Sequence, residues 1–357
     1  MTDAGLAVPA VAAFVAAALI SFGLTPLVRR FAHHVDAIDQ PDDRRVNTSP
    51  VPRGGGVAVA VAYLVVVCAL LALDATVGLW RPGDAPASPG MAALLLGGAA
   101  AMLVGLLDDR FDLRARWQLG GQVLVALVPV ALGISVGLIA NPFGPGVIRL
   151  EGVFGAVFVV IWIVGMINSI NFIDGLDGLS SGVALIAAVT LGIISVTGPR
   201  TEPVVALVCV TLAGALLGFL RWNFHPASIF IGTSGVMFVG YTLALLSILG
   251  SAKVAVALLV LGIPIIDTFY IIVRRLASGR SPFSADRGHI HHRLLELGLT
   301  HTQTVLLIYA ICAGLGALSL LLSGTGQLYA FLGAFLVFGI AILLLDRAAE
   351  QRASDGG

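Results

Sequence analysis

Apolar stretches of about 20 residues recur along the whole sequence, with short polar breaks between them. A stretch of this length can cross the hydrocarbon core of a bilayer as a helix. A bilayer core offers no water to bond exposed backbone groups, so such segments must be helical. Charged residues make up only 11% of the chain, whereas soluble domains carry about 25%. The sequence therefore predicts an all-α, polytopic membrane helical bundle.

We place about eleven transmembrane helices in one domain, residues 1–347, followed by a short cytoplasmic tail, residues 348–357, predicted to be disordered. The predicted spans are 6–28, 54–73, 90–107, 118–138, 153–168, 179–197, 203–221, 235–250, 253–273, 304–323 and 327–345.

Basic residues test the orientation of these spans, because cytoplasmic loops carry an excess of Lys and Arg. Only Arg81, Arg149, Arg200 and Lys253 fall on one side, which leaves sixteen of the 20 basic residues on the other. The sequence thus predicts an N-terminus outside, a C-terminus in the cytoplasm and a site on the cytoplasmic face. No basic block points to nucleic acid, and the three cysteines lie inside apolar runs, where no disulfide is expected.

One polar stretch, residues 168–179, lies between two of the apolar runs. Asn168, Asn171, Asp174 and Asp177 recur at every third residue, and a glycine follows each aspartate. This spacing keeps the polar groups on adjacent parts of one helix face, and glycine lets the backbone approach a ligand closely. A turn that favours Asp-Gly explains one such pair. It does not explain two amides and two pairs together, so we interpret the stretch as a binding site.

The first inner loop carries Arg45 and, just before the second span, Arg53 with a run of three glycines at 54–56. Arginines beside glycines at a helix N-terminus can form an anion cradle, since free N–H groups and the helix dipole both favour phosphate. A charged loop that simply obeys the positive-inside rule explains the arginines equally well.

The third predicted span ends in Asp108-Asp109. Adjacent carboxylates at a membrane rim need a compensating cation, and beside a phosphate-binding loop that cation would be Mg²⁺. The alternative is a helix end neutralised by Arg110, Arg114 and Arg116.

Two further inner loops could hold parts of a ligand. Residues 221–235 form an aromatic and small-residue turn, which could stack on a planar base or simply belong to an interfacial belt. The largest inner loop contains three histidines and two arginines within residues 287–293, which can donate to diphosphate oxygens or bind a metal. We expect Asp267, near the end of the ninth predicted span, to pair with one of these side chains.

Five motifs in fixed order resemble the polyprenyl-phosphate N-acetylhexosamine-1-phosphate transferases, the superfamily of WecA, TagO and MraY. They are PRGGG at 52–56, DDRFDL at 108–113, NSINFIDGLDGL at 168–179, HPASIFIG at 225–232 and HIHHRLLELGL at 289–299. The HIHHR form is similar to the WecA and TagO branch.

The resemblance implies an enzyme of the bacterial inner membrane that transfers N-acetylhexosamine 1-phosphate, by preference N-acetylglucosamine 1-phosphate, from a UDP-sugar to undecaprenyl phosphate. UMP is released, in the first membrane step of a cell-envelope polysaccharide pathway such as lipopolysaccharide or teichoic acid synthesis. It also implies Mg²⁺, with Mn²⁺ as an alternative, and is compatible with a homodimer.

The resemblance assigns roles to particular positions. The expected catalytic residues are Asp108 and Asp109; the nucleotide-sugar ligands are Asn168, Asn171, Asp174, Asp177, Asn223 and Phe230; and the phosphate and sugar ligands are Arg45, Arg53, His289, His291, His292 and Arg293.

Two positions depart from the family pattern. Thr233 stands where the family has an aspartate that binds the metal, and Asn47 stands where a histidine is common. We expect Asp109, Asp174 or Asp177 to hold the metal instead. The alternative is a catalytically impaired relative that binds UDP-sugar or polyprenyl phosphate as a regulator. A transporter is disfavoured, because the charged residues lie at one rim and not at mid-membrane.

Overall fold

The computed structural model describes residues 3–40, 50–77, 88–141, 144, 146–198, 201–250, 253–279 and 289–355. Arg45 and Asn47 lie outside these residues. The described helices are α1 (Asp3–His34), α2 (Gly56–Val77), α3 (Pro89–Phe111), α4 (Ala115–Ala131), α5 (Val153–Ile173), α6 (Leu179–Thr197), α7 (Pro203–Asn223), α8 (Gly232–Leu249), α9 (Lys253–Val260), α10 (Gly262–Ala277), α11 (Ile290–Glu296), α12 (His301–Leu321) and α13 (Thr325–Asp355).

Two short antiparallel strand pairs accompany the helices. Strands β1 (Ile38–Asp39) and β2 (Val51–Pro52) pair before α2, with Asp39 opposite Val51. Strands β3 (Leu138–Ala140) and β4 (Val147–Arg149) pair between α4 and α5.

The all-α membrane bundle predicted from the sequence is confirmed. Among the described residues, 8 helices are long and apolar enough to cross a membrane, or 9 if the bent pair α9 and α10 counts as one span. Helix α4, with 17 residues, and the apolar part of α13, Thr325–Ala341, are shorter. The count of eleven spans and the orientation of the termini remain predictions.

The predicted span 253–273 is a broken helix. Helices α9 and α10 meet at an angle of 78°, and Leu261 between them has φ −95° and ψ 20°. Pro264 lies in the first turn of α10, where a missing N–H costs no helical hydrogen bond. The proline therefore starts a second helix in the middle of an apolar run.

Small residues bring the helices into close contact. A Cβ added to Gly214 or Gly218 of α7 would lie 2.2 or 2.1 Å from a carbonyl oxygen of α1, that of Phe14 or Ala18. Such small residues at four-residue spacing allow two membrane helices to pack backbone to backbone.

Helix α8 is the most buried of the described spans. Its Tyr241 lies over Gly97 of α3 and donates a hydrogen bond to the carbonyl of Ala93, at 2.7 Å. By contrast, Val8, Val11 and Leu19 of α1 are exposed, as expected of side chains that face lipid. Helix α8 is thereby fixed against α3 inside the bundle.

The prediction of a disordered tail is wrong for residues 348–355, because α13 continues as a helix to Asp355. The sequence at 348–352 is Ala-Ala-Glu-Gln-Arg, and each of these residues favours a helix. The small size and polarity of the segment were therefore a poor guide. The last two residues, 356 and 357, lie outside the described part of the chain.

Candidate active site

Asp109, at the end of α3, caps the N-terminus of α8. Its Oδ1 accepts a hydrogen bond from the backbone N–H of Thr233 at 2.7 Å, and its Oδ2 accepts one from Ser234 at 3.0 Å. The first turn of a helix has unbonded N–H groups and a partial positive charge, so a carboxylate is favoured there. The contact joins two predicted motifs that lie more than 100 residues apart.

Glycines make this contact possible. Gly232 has φ +69°, and a Cβ on it would lie 2.7 Å from both oxygens of Asp109 and from the amide nitrogen of Gly54. A Cβ on Gly56 would lie 1.9 Å from the Cα of Gly235. The glycine run 54–56 is therefore packed directly against the start of α8.

The same packing changes the interpretation of the glycine run as an anion cradle. The N–H of Gly55 donates to the carbonyl of Phe230 at 2.9 Å, and the N–H of Gly56 donates to that of Ile231 at 2.7 Å. These two groups are used within the fold, so the cradle prediction is wrong for them. Phe230 also donates its own N–H to Pro52 at 2.9 Å, and its side chain is half-buried beside the loop.

Asp108 is buried and is directed to α4. Its Oδ1 accepts hydrogen bonds from the side chain of Gln118 at 2.7 Å and from the N–H of Leu113 at 3.1 Å. Both partners are neutral donors, so Asp108 is not fixed by the ion pairs that the alternative interpretation of this helix end requires. The sequence analysis did not single out Gln118, because a glutamine at a helix start carries no distinctive pattern.

Arg53 forms an ion pair with Asp39, across the β1 and β2 pair. Its positive charge also reaches Asp174, where it opposes the rise in pKa that burial causes. Arg53 therefore lies between the first inner loop and the central polar stretch.

Asp174 caps the end of α5 and accepts a hydrogen bond from the hydroxyl of Ser180 at 2.6 Å. Burial raises the pKa of Asp174 to about 7; the Ser180 hydrogen bond and Arg53 oppose this rise, and the charges of Asp109 and Asp177 add to it. The carboxylates of Asp109 and Asp174 are therefore close enough to repel each other. A bound cation would relieve this repulsion.

Two predicted nucleotide ligands instead hold helices together. The amide nitrogen of Asn168 donates to Gln122 of α4 at 2.7 Å and to the carbonyl of Val164 at 2.8 Å. Asn223 is buried, accepts from Ser181 at 2.7 Å and donates to Ile229 at 3.1 Å. In this structure both amides are engaged within the protein, and their predicted role as nucleotide ligands stays a prediction. Asn171 is half-buried at the last turn of α5.

Asp177 is also bonded within the protein. Its Oδ2 lies 2.7 Å from Nδ1 of His225 and accepts the N–H of Ala227 at 3.1 Å. The His225 ring stacks on His301, with ring centroids 4.1 Å apart. Neither histidine was among the predicted ligands, although His225 belongs to one of the five motifs.

The histidine motif begins at the N-terminus of α11. His289 Nδ1 lies 2.7 Å from Oδ2 of Asp267, and the N–H of Ile290 donates to the other oxygen at 3.0 Å. The predicted pairing of Asp267 with this motif is confirmed. Arg293 is buried, with its guanidinium 5.5 Å from the centre of the Tyr270 ring.

His291 packs against the central polar stretch. A Cβ on Gly175 would lie 2.4 Å from its Nε2, so this glycine allows the ring to approach the turn. His291 is 1% exposed, and neither ring nitrogen is hydrogen-bonded to any residue that the structure describes. Burial, together with the nearby histidines 292, 289 and 301, lowers the pKa of His291. The ring is therefore neutral near pH 7, and it would meet a phosphate as a neutral donor and not as a cation.

Arg275, which the sequence analysis did not select, lies between these groups. Its guanidinium is 5.9 Å from the centre of the Phe172 ring, which in turn lies 5.6 Å from the His289 ring. The contacts described above place all five motifs at one end of the bundle, so the prediction that they share one membrane face is confirmed.

Comparisons with known proteins show which family this chain belongs to. The family described as glycosyl transferase family 4 matches residues 91–251. A probable undecaprenyl-phosphate N-acetylglucosaminyl 1-phosphate transferase of Bacillus subtilis is 35% identical, over 84% of this chain and 81% of the relative. A decaprenyl-phosphate N-acetylglucosaminephosphotransferase of Mycolicibacterium smegmatis is 35% identical, over 95% of this chain and 88% of the relative.

A third relative comes from another bacterium. An undecaprenyl-phosphate alpha-N-acetylglucosaminyl 1-phosphate transferase of Thermotoga maritima is 30% identical, over 94% of this chain and 97% of the relative. Since such relatives are matched over nearly their whole length, the chain belongs to the polyprenyl-phosphate N-acetylhexosamine-1-phosphate transferase family.

Proposed function

We propose that this protein transfers N-acetylglucosamine 1-phosphate from UDP-N-acetylglucosamine to a polyprenyl phosphate and releases UMP. The observation that carries the proposal is the placement of Asp109 near both Asp174 and Arg53, with Asp108 next to it at the end of α3. The relatives named above, for undecaprenyl and decaprenyl phosphate, support the reaction class.

In this reaction a phosphate oxygen of the lipid attacks the phosphorus next to the sugar. A new P–O bond forms, the bond from that phosphorus to the bridging oxygen breaks, and the oxygen leaves on UMP. The product is a polyprenyl diphosphate sugar, and no proton need be gained or lost if the lipid phosphate reacts as its dianion. The protein must therefore position two phosphates and stabilise the charge that spreads between them.

Asp108 is the residue that orients the lipid phosphate in this proposal. Both of its described hydrogen bonds fall on Oδ1, from Gln118 and Leu113. A carboxylate fixed through one oxygen keeps the other in a defined direction, where it would accept the proton of a monoanionic lipid phosphate and leave the reactive dianion.

Mg²⁺, or Mn²⁺ in its place, fits Asp109 and Asp174. Both are carboxylates, which suit a hard cation, and each raises the cost of ionising the other. When bound, the ion would neutralise charge on the diphosphate. Asp109 also bonds the start of α8, so the hydroxyl of Thr233 lies near the same site and could hold the ion through water. Asp177 is bonded to His225 instead, and we do not assign it to this ion.

Different residues would contact different parts of the UDP-sugar. Arg53, Arg293 and the histidines at 289, 291 and 292 would contact the diphosphate and sugar. Asn171 and Phe230 would line the nucleotide side.

An apolar cleft of about 250 Å³ gives the lipid a route to this site. Leu24 and Phe31 of α1 line its apolar wall, and Arg53, Asp109 and Arg110 line it as well. An amphiphile with a phosphate head and an isoprenoid chain matches this combination of apolar and cationic side chains.

We further propose that the site faces the cytoplasm in the inner membrane of a bacterium, where it begins assembly of an envelope polysaccharide. Sixteen of the 20 basic residues fall on this side in the predicted topology.

Release of UMP tests the proposal. Purified protein in detergent should form UMP and a polyprenyl diphosphate sugar from UDP-N-acetylglucosamine, undecaprenyl phosphate and Mg²⁺. No turnover with any UDP-N-acetylhexosamine, in either Mg²⁺ or Mn²⁺, would overturn it.

A further inference from the structure

We propose that Asp267 is a positioning residue for the UDP-sugar: its carboxylate holds the His289 ring so that Nε2 faces the sugar 1-phosphate portion of the substrate. This inference rests on the proposed function and adds a residue that none of the five motifs contains. Asp267 lies on α10, and its side chain is only 1% exposed. A carboxylate so deeply buried acts through a neighbour and not on the substrate itself.

Both oxygens of Asp267 are committed to the start of the histidine motif. Oδ2 accepts a hydrogen bond from Nδ1 of His289 at 2.7 Å, and Oδ1 accepts one from the N–H of Ile290 at 3.0 Å. His289 is the N-cap of α11, yet its own side chain makes no capping hydrogen bond. A single carboxylate on α10 thus supplies the missing cap of α11 and fixes the first ring of the motif.

The same contact decides which edge of the His289 ring is left for a ligand. An ionised carboxylate can only accept, so the hydrogen in this contact lies on Nδ1. Nε2, on the other edge, is not hydrogen-bonded to any residue that the structure describes. The His289 side chain is 10% exposed, so a substrate reaches the ring and not the carboxylate behind it.

Neighbouring rings place His289 beside the central polar stretch. Its ring is nearly parallel to that of His291, with centroids 5.6 Å apart, and lies 5.6 Å from the ring of Phe172. Phe172 belongs to the stretch, and His291 packs on Gly175 of the same stretch. The ring that Asp267 orients is therefore next to the residues that carry the proposed transfer reaction.

Asp267→Asn separates this role from packing. The amide has the shape of the carboxylate and keeps one oxygen for the N–H of Ile290, so the cap of α11 survives. Its NH₂ group then meets Nδ1 of His289, and two donors cannot share a hydrogen bond. Either the ring hydrogen moves to Nε2 or the ring turns, and in both cases the edge that faces the substrate changes.

Binding by the full-length protein in detergent tests the proposal. Calorimetric titration with UDP-N-acetylglucosamine is compared with titration of UMP, which lacks the sugar and its phosphate, both with Mg²⁺ present. Asp267→Asn should weaken binding of UDP-N-acetylglucosamine roughly tenfold or more and leave the affinity for UMP unchanged. His289→Gln should do the same. Added to His289→Gln, Asp267→Asn should change the affinity by less than about twofold, because the two residues act as one unit.

Thr268→Val is the matched control. Thr268 is the next residue of α10 and is also buried, and its hydroxyl has no hydrogen-bond partner in the described part of the chain. Both affinities should match those of the unmodified protein.

Three results would overturn the proposal: unchanged affinity for UDP-N-acetylglucosamine in Asp267→Asn, equal weakening of UMP, or an undiminished further loss in the His289→Gln background. If Asp267→Asn does not fold, His289→Gln still decides, because it leaves the Ile290 contact in place and equal losses for the two ligands would refute the role. Binding needs no turnover, so absence of UMP release would contradict the proposed function alone.

Discussion

Asp108 and Asp109 are neighbours in sequence but have different partners in the fold. Successive residues of a helix point about 100° apart, and here one carboxylate bonds Gln118 while the other caps α8. The sequence predicted both as functional, yet the Asp-Asp pair does not act as one chelating unit.

Asp108→Asn should leave the fold intact, since an amide oxygen still accepts from Gln118 and Leu113. The carboxylate charge that orients the lipid phosphate is lost, so kcat for UMP release should fall at least about a hundredfold. Asp112→Asn is the control, because Asp112 is exposed in the left-handed conformation that asparagine also adopts. Equal rates for the two variants would contradict the role of Asp108.

Asp174 should make stability depend on pH. Its folded pKa of about 7 lies above the ordinary value of 3.8, so the folded state holds its proton more tightly than the unfolded state. The stabilisation is complete at low pH and is lost as pH rises through 7. Between pH 6 and pH 8 this amounts to about 1 kcal/mol of unfolding free energy.

Thermal unfolding in detergent and chelator measures this dependence. The unmodified protein should lose stability from pH 6 to pH 8 relative to Asp174→Asn, which cannot ionise there. Parallel pH profiles for the two proteins would show that Asp174 is charged throughout.

Thr233→Asp tests the departure from the family pattern. The new carboxylate would lie in the first turn of α8, where negative charge is favoured, and beside Asp109. Mg²⁺ affinity should rise roughly tenfold, about 1.4 kcal/mol, with a parallel gain in turnover at low Mg²⁺. Thr233→Asn, of similar size but uncharged, should give neither. Tight UDP-sugar binding without turnover in both variants would favour a regulatory relative over an enzyme.

Two predicted ligands have partners within the fold that the sequence could not show. Asn168 lies in one of the five motifs and Asn223 lies just before another, and their amides bond Gln122 and Ser181. An amide can hold a helix or a nucleotide with the same atoms, so the residue type alone could not separate these uses. Asp267 was predictable, since a carboxylate near a helix end needs a partner and the histidine motif was close in sequence.

The helices follow from the apolar runs, whereas their breaks and ends do not. The 78° bend between α9 and α10 lies within residues 254–266, which carry no polar side chain, so the segment was predicted to form one span. The glycines at 54–56 pack against the start of α8. They were interpreted as an anion cradle, because their packing partners lie far away in sequence.

Gly232→Ala should disrupt the start of α8. A positive φ costs a residue with a Cβ about 1 kcal/mol, and the contact with Asp109 adds about 1–3 kcal/mol of overpacking. Gly133→Ala isolates the first cost, because Gly133 has φ +84° and open space around its Cα. Melting temperature should fall clearly more for Gly232→Ala, and UMP release should be lost only there. Similar melting temperatures would mean that α8 can shift away from Asp109.

Contacts across the whole bundle bring the five motifs to one end, as the sequence predicted from the alternation of spans. Which side of the membrane that end faces is a separate prediction, carried by the distribution of basic residues.

Single-cysteine labelling tests which side of the membrane this end of the bundle faces. In a variant whose three cysteines are replaced by Ala, Ser323→Cys after α12 should react with a membrane-impermeant thiol reagent on intact cells. Ser278→Cys after α10 should react only after the cells are opened. Both serines are exposed, so accessibility differs only by membrane side. The reverse labelling pattern would invert the topology.

The cap that Asp109 forms on α8 also has a consequence for biogenesis. Its partner Thr233 follows 124 residues later, and at about 10 residues per second a ribosome needs roughly 12 seconds to supply it. During that interval α3 is already made. The Asp109 side chain is then either hydrated or protonated at the membrane rim. The cap on Asp109 thus forms only when α8 enters the bilayer, and a nascent chain that stalls earlier leaves α3 with an uncapped acid at its end.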